Sequence, residues 1–386
     1  MKQIVSVMLV IFLLAACTGS ATPGYTPPPP QQVLGQEPLR VVTTIFPQFD
    51  FVRQIAGDRV ELTMLISPGA ESHSFEPTPR DMLTINNADL LIYVGGHSEA
   101  WVHPILNSLG RGDLRTVALL EMVELLWMDH HHDHSHDHSH SHAHHDHDHN
   151  DAHDHNDDHH HHEHVQKDEE HDLSGHQNHV HNDDDHHHDH NDDHHHSHDH
   201  HHGHHHHHGE LEADEHIWTS PANAALIVLA LANVLGEMDP DNAYYFRANA
   251  AAYVQELEYL DQAFRQMVSE AARCTIVFGD RFPFRYLTEA YGLCHYAAFP
   301  GCASETQASP AVIAHLIDTV NEQNIPVVFY IEFSERLIAN VIAEATGARL
   351  LELHSIHNVS QSDFDAGVTY LELMNRNLER LREALN

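Results

Sequence analysis

Three isolated histidines have the residue type and the sequence context of metal ligands. His73 lies in a loop rich in serine, proline and glycine, His216 follows two acidic residues, and His354 directly follows a predicted strand. Three neutral imidazoles that converge with one oxygen ligand form a common tetrahedral zinc site. Because the three histidines are far apart in the chain, such a site requires a fold that brings their loops together.

A second and much larger group of histidines occupies one continuous segment. Residues 129–209 contain 39 of the 47 histidines, together with 21 acidic residues and one basic residue. A segment so poor in apolar residues cannot bury a core, and it is predicted to be a disordered excursion from a folded domain. Its imidazoles and acids favour cations, so one hypothesis is that it gathers zinc beside the specific site. The alternative is a tolerated low-complexity expansion without a role.

The overall composition limits the classes of partner. The chain has 386 residues, with 18 Lys and Arg against 58 Asp and Glu, and a formal net charge of -40. Such an acidic chain is not expected to bind nucleic acid, whose phosphates require basic side chains. The length is sufficient for two ordinary domains.

The N-terminus has the pattern of an export signal. A short apolar run ends in Leu14-Ala15-Ala16-Cys17, which resembles the bacterial lipobox and predicts a signal peptide over residues 1–17. In signals of that kind the cysteine is acylated, so Cys17 is the predicted lipidation site. Residues 18–38 are rich in threonine and proline and predict an extended tether. We therefore expect an extracytoplasmic protein held to the cell membrane by a lipid anchor.

The remainder of the chain alternates between predicted strands and helices. This alternation predicts parallel sheets and an α/β fold with two Rossmann-like lobes. The predicted organisation is an N-terminal lobe over residues 39–220, linking helices over 221–272 and a C-terminal lobe over 273–386. Apolar residues recur every three or four positions over 241–272, which predicts one long helix as a rigid spine. Ligands of such folds bind beyond the carboxyl ends of the strands.

Three cysteines follow the predicted signal, in a compartment that permits disulfides. Cys274 and Cys294 each begin a predicted strand, and Cys302 lies beyond the second of these strands. If the two strands are parallel neighbours, the first two cysteines lie side by side. Cys274 and Cys294 are therefore the predicted disulfide pair.

Two motifs in the N-terminal part resemble those of the zinc receptors of bacterial ABC transporters. The family has a G-x-x-x-H-x-[FY]-x-P-[TS]-x-x-[DM] loop and a D-x-H-x-W-x-[SD]-P segment, each of which supplies one ligand. The matching residues here are Gly69, His73, Phe75, Pro77, Thr78 and Asp81 in the first, and Asp214, His216, Trp218, Ser220 and Pro221 in the second. An acidic, histidine-rich insertion between the two motifs is also similar. The chain thus resembles the ZnuA-like lipoproteins of the cluster A-I substrate-binding proteins over essentially its mature length.

The C-terminal lobe departs from the pattern of this family. In the family a histidine follows the first strand of this lobe, but here Arg281 stands at that position, and arginine does not bind cations. The family's last ligand is an aspartate after the final strand, where this chain has His354 with His357 three residues on. The resemblance therefore implies a permuted ligand set. Its members are His73, His216, His354 and Asp280, with His357 and Glu305 as further candidates.

The resemblance implies a function without catalysis. The expected protein is a monomeric receptor that captures Zn²⁺ between two lobes joined by a rigid backbone helix, and delivers it to an ABC permease and its ATPase. A receptor of the same fold for manganese or nickel is an alternative, although three histidines favour zinc over manganese. Alternatives of other classes are a zinc hydrolase and a metal-storage or adhesin lipoprotein. No H-E-x-x-H motif supports the hydrolase.

Overall fold

The computed structural model describes residues 37–128, 212–301 and 308–386. Several predictions therefore lie outside the described residues. They concern the signal peptide with the lipidated Cys17, almost all of the tether over residues 18–38, the whole histidine-rich segment 129–209 and the oxygen ligand Glu305.

The first lobe contains a four-stranded parallel sheet in the order β2-β1-β3-β4. Its strands are β1 (Leu39–Thr43), β2 (Val60–Met64), β3 (Leu90–Tyr93) and β4 (Arg115–Ala118). Its helices are α1 (Phe46–Ala56), α2 (Pro79–Asn87) and α3 (Val102–Leu109). All four residues of β3 are buried, as expected for a central strand that is covered on both faces. Short 3-10 turns occupy His97–Glu99 and Leu119–Met122.

A small antiparallel pair flanks the histidine-rich segment. Its strands are β5 (Trp127–Met128) and β6 (Glu212–Ala213), in which Trp127 pairs with Ala213. The chain therefore enters and leaves residues 129–211 at two adjacent backbone positions. A 3-10 turn at Ile217–Thr219 follows β6.

Two long helices lead to the second lobe. They are α4 (Pro221–Met238) and α5 (Ala243–Glu270), and they pack against each other. The buried side chains of α5 recur at the spacing of one helix face: Phe246, Ala250, Tyr253, Leu257, Leu260, Phe264 and Met267. Within the described residues, α4 alone is long and apolar enough to cross a membrane, with a mean hydropathy of 1.5. Core helices pass the same test, and one face of α4 is buried in the protein.

The second lobe repeats the architecture of the first. Its parallel sheet has the order β10-β9-β7-β8, with strands β7 (Thr275–Arg281), β8 (Cys294–Phe299), β9 (Val327–Tyr330) and β10 (Arg349–Glu352). Its helices are α6 (Arg285–Tyr291), α7 (Pro310–Glu322), α8 (Leu337–Thr346), α9 (Gln361–Asp365) and α10 (Tyr370–Leu385).

The predicted fold class of two parallel α/β lobes is confirmed, and the predicted long helix is present as α5. The chain ends in two separate helices, α9 and α10. Gly367 lies between them with a φ of 75°, a left-handed conformation that glycine adopts readily and that ends a right-handed helix.

Candidate metal centre

Three histidines from three separate segments form a cluster. His73 follows β2, His216 follows β6, and His357 follows β10. Each offers a ring nitrogen, and these nitrogens all lie within 4.8 Å of one another. The ring centre of His357 is 4.6 Å from those of both His73 and His216. Among the described residues, this is the group of histidines, cysteines and acids whose geometry suits a metal ion.

The loop that carries His73 is tied at both ends. At its end, the hydroxyl of Thr78 accepts a hydrogen bond from the Asp81 N–H, and the Asp81 carboxylate accepts one from the Thr78 N–H, which starts α2 with a capping box. At its beginning, the side-chain amide of Asn358 donates to the carbonyls of Ser67 (2.7 Å) and Ala70 (2.9 Å). These last bonds join the loops that carry His73 and His357, one from each lobe.

The loop after β10 turns sharply before His357. Ile356 has a φ of 65°, which is strained for a β-branched residue and is characteristic of functional sites. The turn is held by Nδ1 of His354, which accepts a hydrogen bond of 2.9 Å from the Ile356 N–H. Glu332 supports it as well, because its carboxylate accepts hydrogen bonds from the N–H (2.6 Å) and the hydroxyl of Ser355. This reversal places the ring of His357 against His73 and His216.

Two rings of the cluster, those of His73 and His357, have lowered pKa values and are neutral imidazoles at neutral pH. Burial, the nearby His216 and the charge of Arg281 lower the pKa of His73 to about 3. Burial, then His73 and His216, also hold the pKa of His357 well below its usual range. Nε2 of His73 is buried, and it has no hydrogen-bond partner among the described residues. A buried lone pair without a donor is what a metal ligand requires before the metal arrives.

The ring of His216 is oriented by a buried carboxylate. Asp214 is 1% exposed, and its Oδ1 lies 2.7 Å from Nδ1 of His216. Tyr286 donates from its hydroxyl to the carbonyl of Asp214 (3.0 Å), which ties this segment to the second lobe. Burial alone raises the pKa of Asp214, but its attraction to His216 and the hydrogen bonds from His216 bring the net pKa below its usual value. A carboxylate behind a histidine is the usual second partner of a metal-binding imidazole.

The structure brings together some of the predicted ligands and leaves others outside the cluster. His73, His216 and the further candidate His357 meet in it, whereas His354 is outside this group and stabilises the turn at Ile356. Asp280 is also outside, because its carboxylate accepts hydrogen bonds from the N–H groups of the next residue (2.8 Å) and of the chain after β9 (3.3 Å).

Two functional residues were not assigned a role from the sequence. Asp214 orients His216, and the D-x-H spacing that contains it was a usable signal. Glu332 orders the turn before His357 from a separate strand end, which nothing in the local sequence indicates.

A cavity beside the cluster is lined by Glu71, His73, Arg281, Glu332, Phe333 and His357, among others.

The two cysteines predicted to pair lie side by side. β7 and β8 are parallel neighbours, as the prediction required. The thiols of Cys274 and Cys294 are free and exposed, with sulfur atoms 3.2 Å apart. The disulfide itself stays a prediction.

Two parallel α/β lobes around a buried three-histidine cluster define a two-lobed receptor for a divalent metal. Comparison with known proteins gives the family. Residues 41–384 match the protein family described as zinc-uptake complex component A, periplasmic (ZnuA). The chain therefore belongs to this family of zinc-binding solute receptors, which are not enzymes.

Individual relatives agree with this assignment. The chain is 27% identical to the high-affinity zinc uptake system protein ZnuA of Bacillus subtilis over 373 residues, which cover 97% of this chain and 94% of that protein. It is 25% identical to the zinc-binding lipoprotein AdcA of Streptococcus pneumoniae, covering 89% of this chain but 55% of AdcA. The chain thus spans about half the length of AdcA and nearly all of the Bacillus protein.

Solved structures show the same fold. The Zn(II)-bound ZnuA-like domain of Streptococcus pneumoniae AdcA has a TM-score of 0.61 and 23% identity, covering 90% of this chain and 99% of that domain. A laminin-binding protein of Streptococcus agalactiae, described as a bifunctional adhesin and metal transporter, has a TM-score of 0.62 and 21% identity, with 90% and 100% covered.

Proposed function

We propose that this chain captures a single Zn²⁺ through His73, His216 and His357 and delivers it to a membrane permease driven by an ATPase. The observation that carries the proposal is the convergence of three ring nitrogens from three segments within 4.8 Å. The family supports zinc uptake, and the relatives named as zinc-uptake and zinc-binding proteins support zinc as the cargo.

The chemistry of the cluster favours zinc over harder metals. Neutral imidazoles suit zinc, copper and nickel, whereas manganese and magnesium prefer carboxylate and carbonyl oxygens. The cluster offers three imidazoles and no carboxylate among the described residues. Nickel shares this preference for imidazole and is therefore the metal that competes with zinc.

The histidine-rich segment joins the fold next to the site. β6 ends at Ala213, three residues before His216, and it pairs with β5 on the other side of the segment. A segment attached so near in sequence to His216 can raise the concentration of metal ions available to the site. We propose that the segment supplies zinc and that the cluster provides specificity.

The cellular setting is also part of the proposal. Relatives carry the descriptions lipoprotein and periplasmic, which supports an extracytoplasmic protein. The lipobox sequence supports acylation at Cys17 and a tether over residues 18–38 that leads to a monomeric receptor. Metabolic labelling with a radioactive fatty acid, with Cys17→Ser as the comparison, tests the anchor: label must enter the wild type and be absent from the variant.

A titration of the full chain tests the metal site. Zinc and nickel are each added in competition with a chelator of known affinity, and the number of tightly bound ions is read by native mass spectrometry. We expect one zinc ion that resists the chelator in the wild type and none in His73→Ala. His103→Ala is the matched control, because His103 is an exposed histidine of α3 in the same lobe. Retention of the tight zinc ion in His73→Ala, or stronger retention of nickel than zinc, contradicts the proposal.

A further inference from the structure

The cavity beside the three histidines contains a guanidinium group. Arg281 ends β7, and together with His73 and His357 it lines this cavity. A permanent cation so near a site for Zn²⁺ opposes metal binding by charge repulsion unless an anion lies between them.

The protein supplies three ligands, whereas zinc takes four. No carboxylate or thiolate of the described residues belongs to the cluster of three imidazoles. Structural zinc sites are four-coordinate, and a site with three protein ligands completes its shell with water or another small molecule. The described residues thus provide three of the four ligands that such a site needs.

The buried carboxylates near the cluster are already engaged. Asp214 is hydrogen-bonded to His216, Glu332 accepts hydrogen bonds from Ser355, and Asp280 accepts from two backbone N–H groups. Arg281 forms a long ion pair with the exposed Glu71. The distance from its Nη1 to Oε1 of Glu71 is 3.8 Å, which is too long for a hydrogen bond. The planar guanidinium is suited to two parallel hydrogen bonds from a carboxylate and has donors available for them.

We propose that the chain binds zinc together with a small carboxylate. One carboxylate oxygen is the fourth zinc ligand, and the other accepts hydrogen bonds from Arg281. The carboxylate offsets the charge of Arg281 and places an oxygen where the ligand shell lacks one. The inference rests on the proposed function, because it needs the metal at the three imidazoles.

Cobalt substitution of the full chain tests this inference. One equivalent of Co²⁺ is added, and its visible absorption, which is sensitive to the ligand set, is followed as sodium acetate is added, with sodium nitrate at equal ionic strength as the reference. We expect a saturable spectral change with acetate. In Arg281→Gln the apparent acetate affinity must fall at least about tenfold, as expected for the loss of a charge-assisted hydrogen-bonded pair. Arg281→Lys should restore part of it.

Two further variants make the result specific. Arg349→Gln removes an exposed arginine of the same sheet. Arg349 lies at the amino end of β10, whereas Arg281 lies at the carboxyl end of β7, so the acetate affinity of Arg349→Gln must equal that of the wild type. Glu71→Gln removes the carboxylate nearest to Arg281, and it must leave acetate binding unchanged or strengthen it.

Three results overturn the inference. The first is a cobalt spectrum that does not change when acetate is added, and the second is an acetate response that is equal in the wild type and in Arg281→Gln. The third is a difference between the cobalt spectra of Glu71→Gln and the wild type before acetate is added, which identifies Glu71 as the fourth ligand. Failure of the proposed function has a different signature. In that case the cobalt spectrum is the same in His73→Ala as in the wild type, whatever acetate does.

Discussion

Nδ1 of His216 lies 2.7 Å from Oδ1 of Asp214, and the backbone N–H of His216 donates to the same oxygen at 2.9 Å. Because both partners are buried and a carboxylate only accepts, this pair fixes the ring with its proton on Nδ1, the tautomer whose lone pair is on Nε2. The carboxylate also increases the basicity of the ring. Asp214 is therefore part of the site, although it does not touch the metal.

Asp214→Asn tests the role of this carboxylate. The amide keeps the size of the side chain but loses the charge, so the ring is oriented less strictly and is a weaker ligand. We expect zinc affinity, measured by chelator competition, to fall about 10–100-fold. Asp113→Asn is the control, since Asp113 is an exposed aspartate of the same lobe. Equal zinc affinities for Asp214→Asn and the wild type contradict the assignment.

The two histidines after β10 can be distinguished by substitution. His357→Ala removes a proposed ligand and should abolish the tight zinc site. His354→Asn keeps a side-chain acceptor for the Ile356 N–H, so it should weaken zinc binding far less. Native mass spectrometry of both variants with one equivalent of zinc gives the answer. The reverse order of effects identifies His354 as the ligand.

The pH dependence of zinc binding separates the cluster from the histidine-rich segment. The pKa of His73 is lowered to about 3 and that of His357 is also lowered, so protons do not compete for these rings at pH 5.5. Imidazoles with an ordinary pKa of about 6.5 are mostly protonated there and release metal. We expect the zinc stoichiometry from equilibrium dialysis to fall towards one as the pH is lowered from 7.5 to 5.5. Over the same pH range, the zinc stoichiometry of His73→Ala should fall towards zero. Loss of the last zinc ion from the wild type at pH 5.5 contradicts the account.

A buried acid gives the fold its own pH dependence. Burial raises the pKa of Glu99 to about 7, even though the N–H groups of Val94 and Gly95 donate hydrogen bonds to its carboxylate. The folded state therefore keeps a proton that the unfolded chain releases, and the associated stability is present below pH 4.5 and is lost as the pH rises through 7.

Glu99→Gln removes this loss, because the amide does not ionise. Between pH 5 and pH 8 the free energy of unfolding of the variant should rise relative to the wild type by about 3 kcal/mol. Urea unfolding with metal removed measures it, with Glu121→Gln, an exposed acid, as the control. If the free energies of unfolding of Glu99→Gln and the wild type differ by the same amount at pH 5 and at pH 8, the raised pKa of Glu99 is contradicted.

The sequence predicted the fold well because its signals are local. Alternating strands and helices gave both sheets, and the regular spacing of Phe246, Tyr253 and their neighbours gave the long helix α5. The parallel pairing that places Cys274 next to Cys294 also followed from strand order. Two members of the cluster, His73 and His216, lie within motifs of fixed spacing and could be chosen from the sequence.

The third member could not be assigned from spacing alone. His354 and His357 are three residues apart after the same strand, and the left-handed turn at Ile356 decides which ring faces the cluster. That turn depends on Glu332, which follows another strand, β9, so no local pattern indicates it. The hydrogen bonds of Asp280 to the backbone are equally invisible in the sequence.

Anomalous diffraction tests the central claim most directly. Crystals of the full chain with one equivalent of zinc are measured on both sides of the zinc absorption edge. The account predicts one dominant peak at about 2.0–2.1 Å from a ring nitrogen of each of His73, His216 and His357. A dominant peak bound by His354 and Asp280, or by residues 129–209, contradicts it.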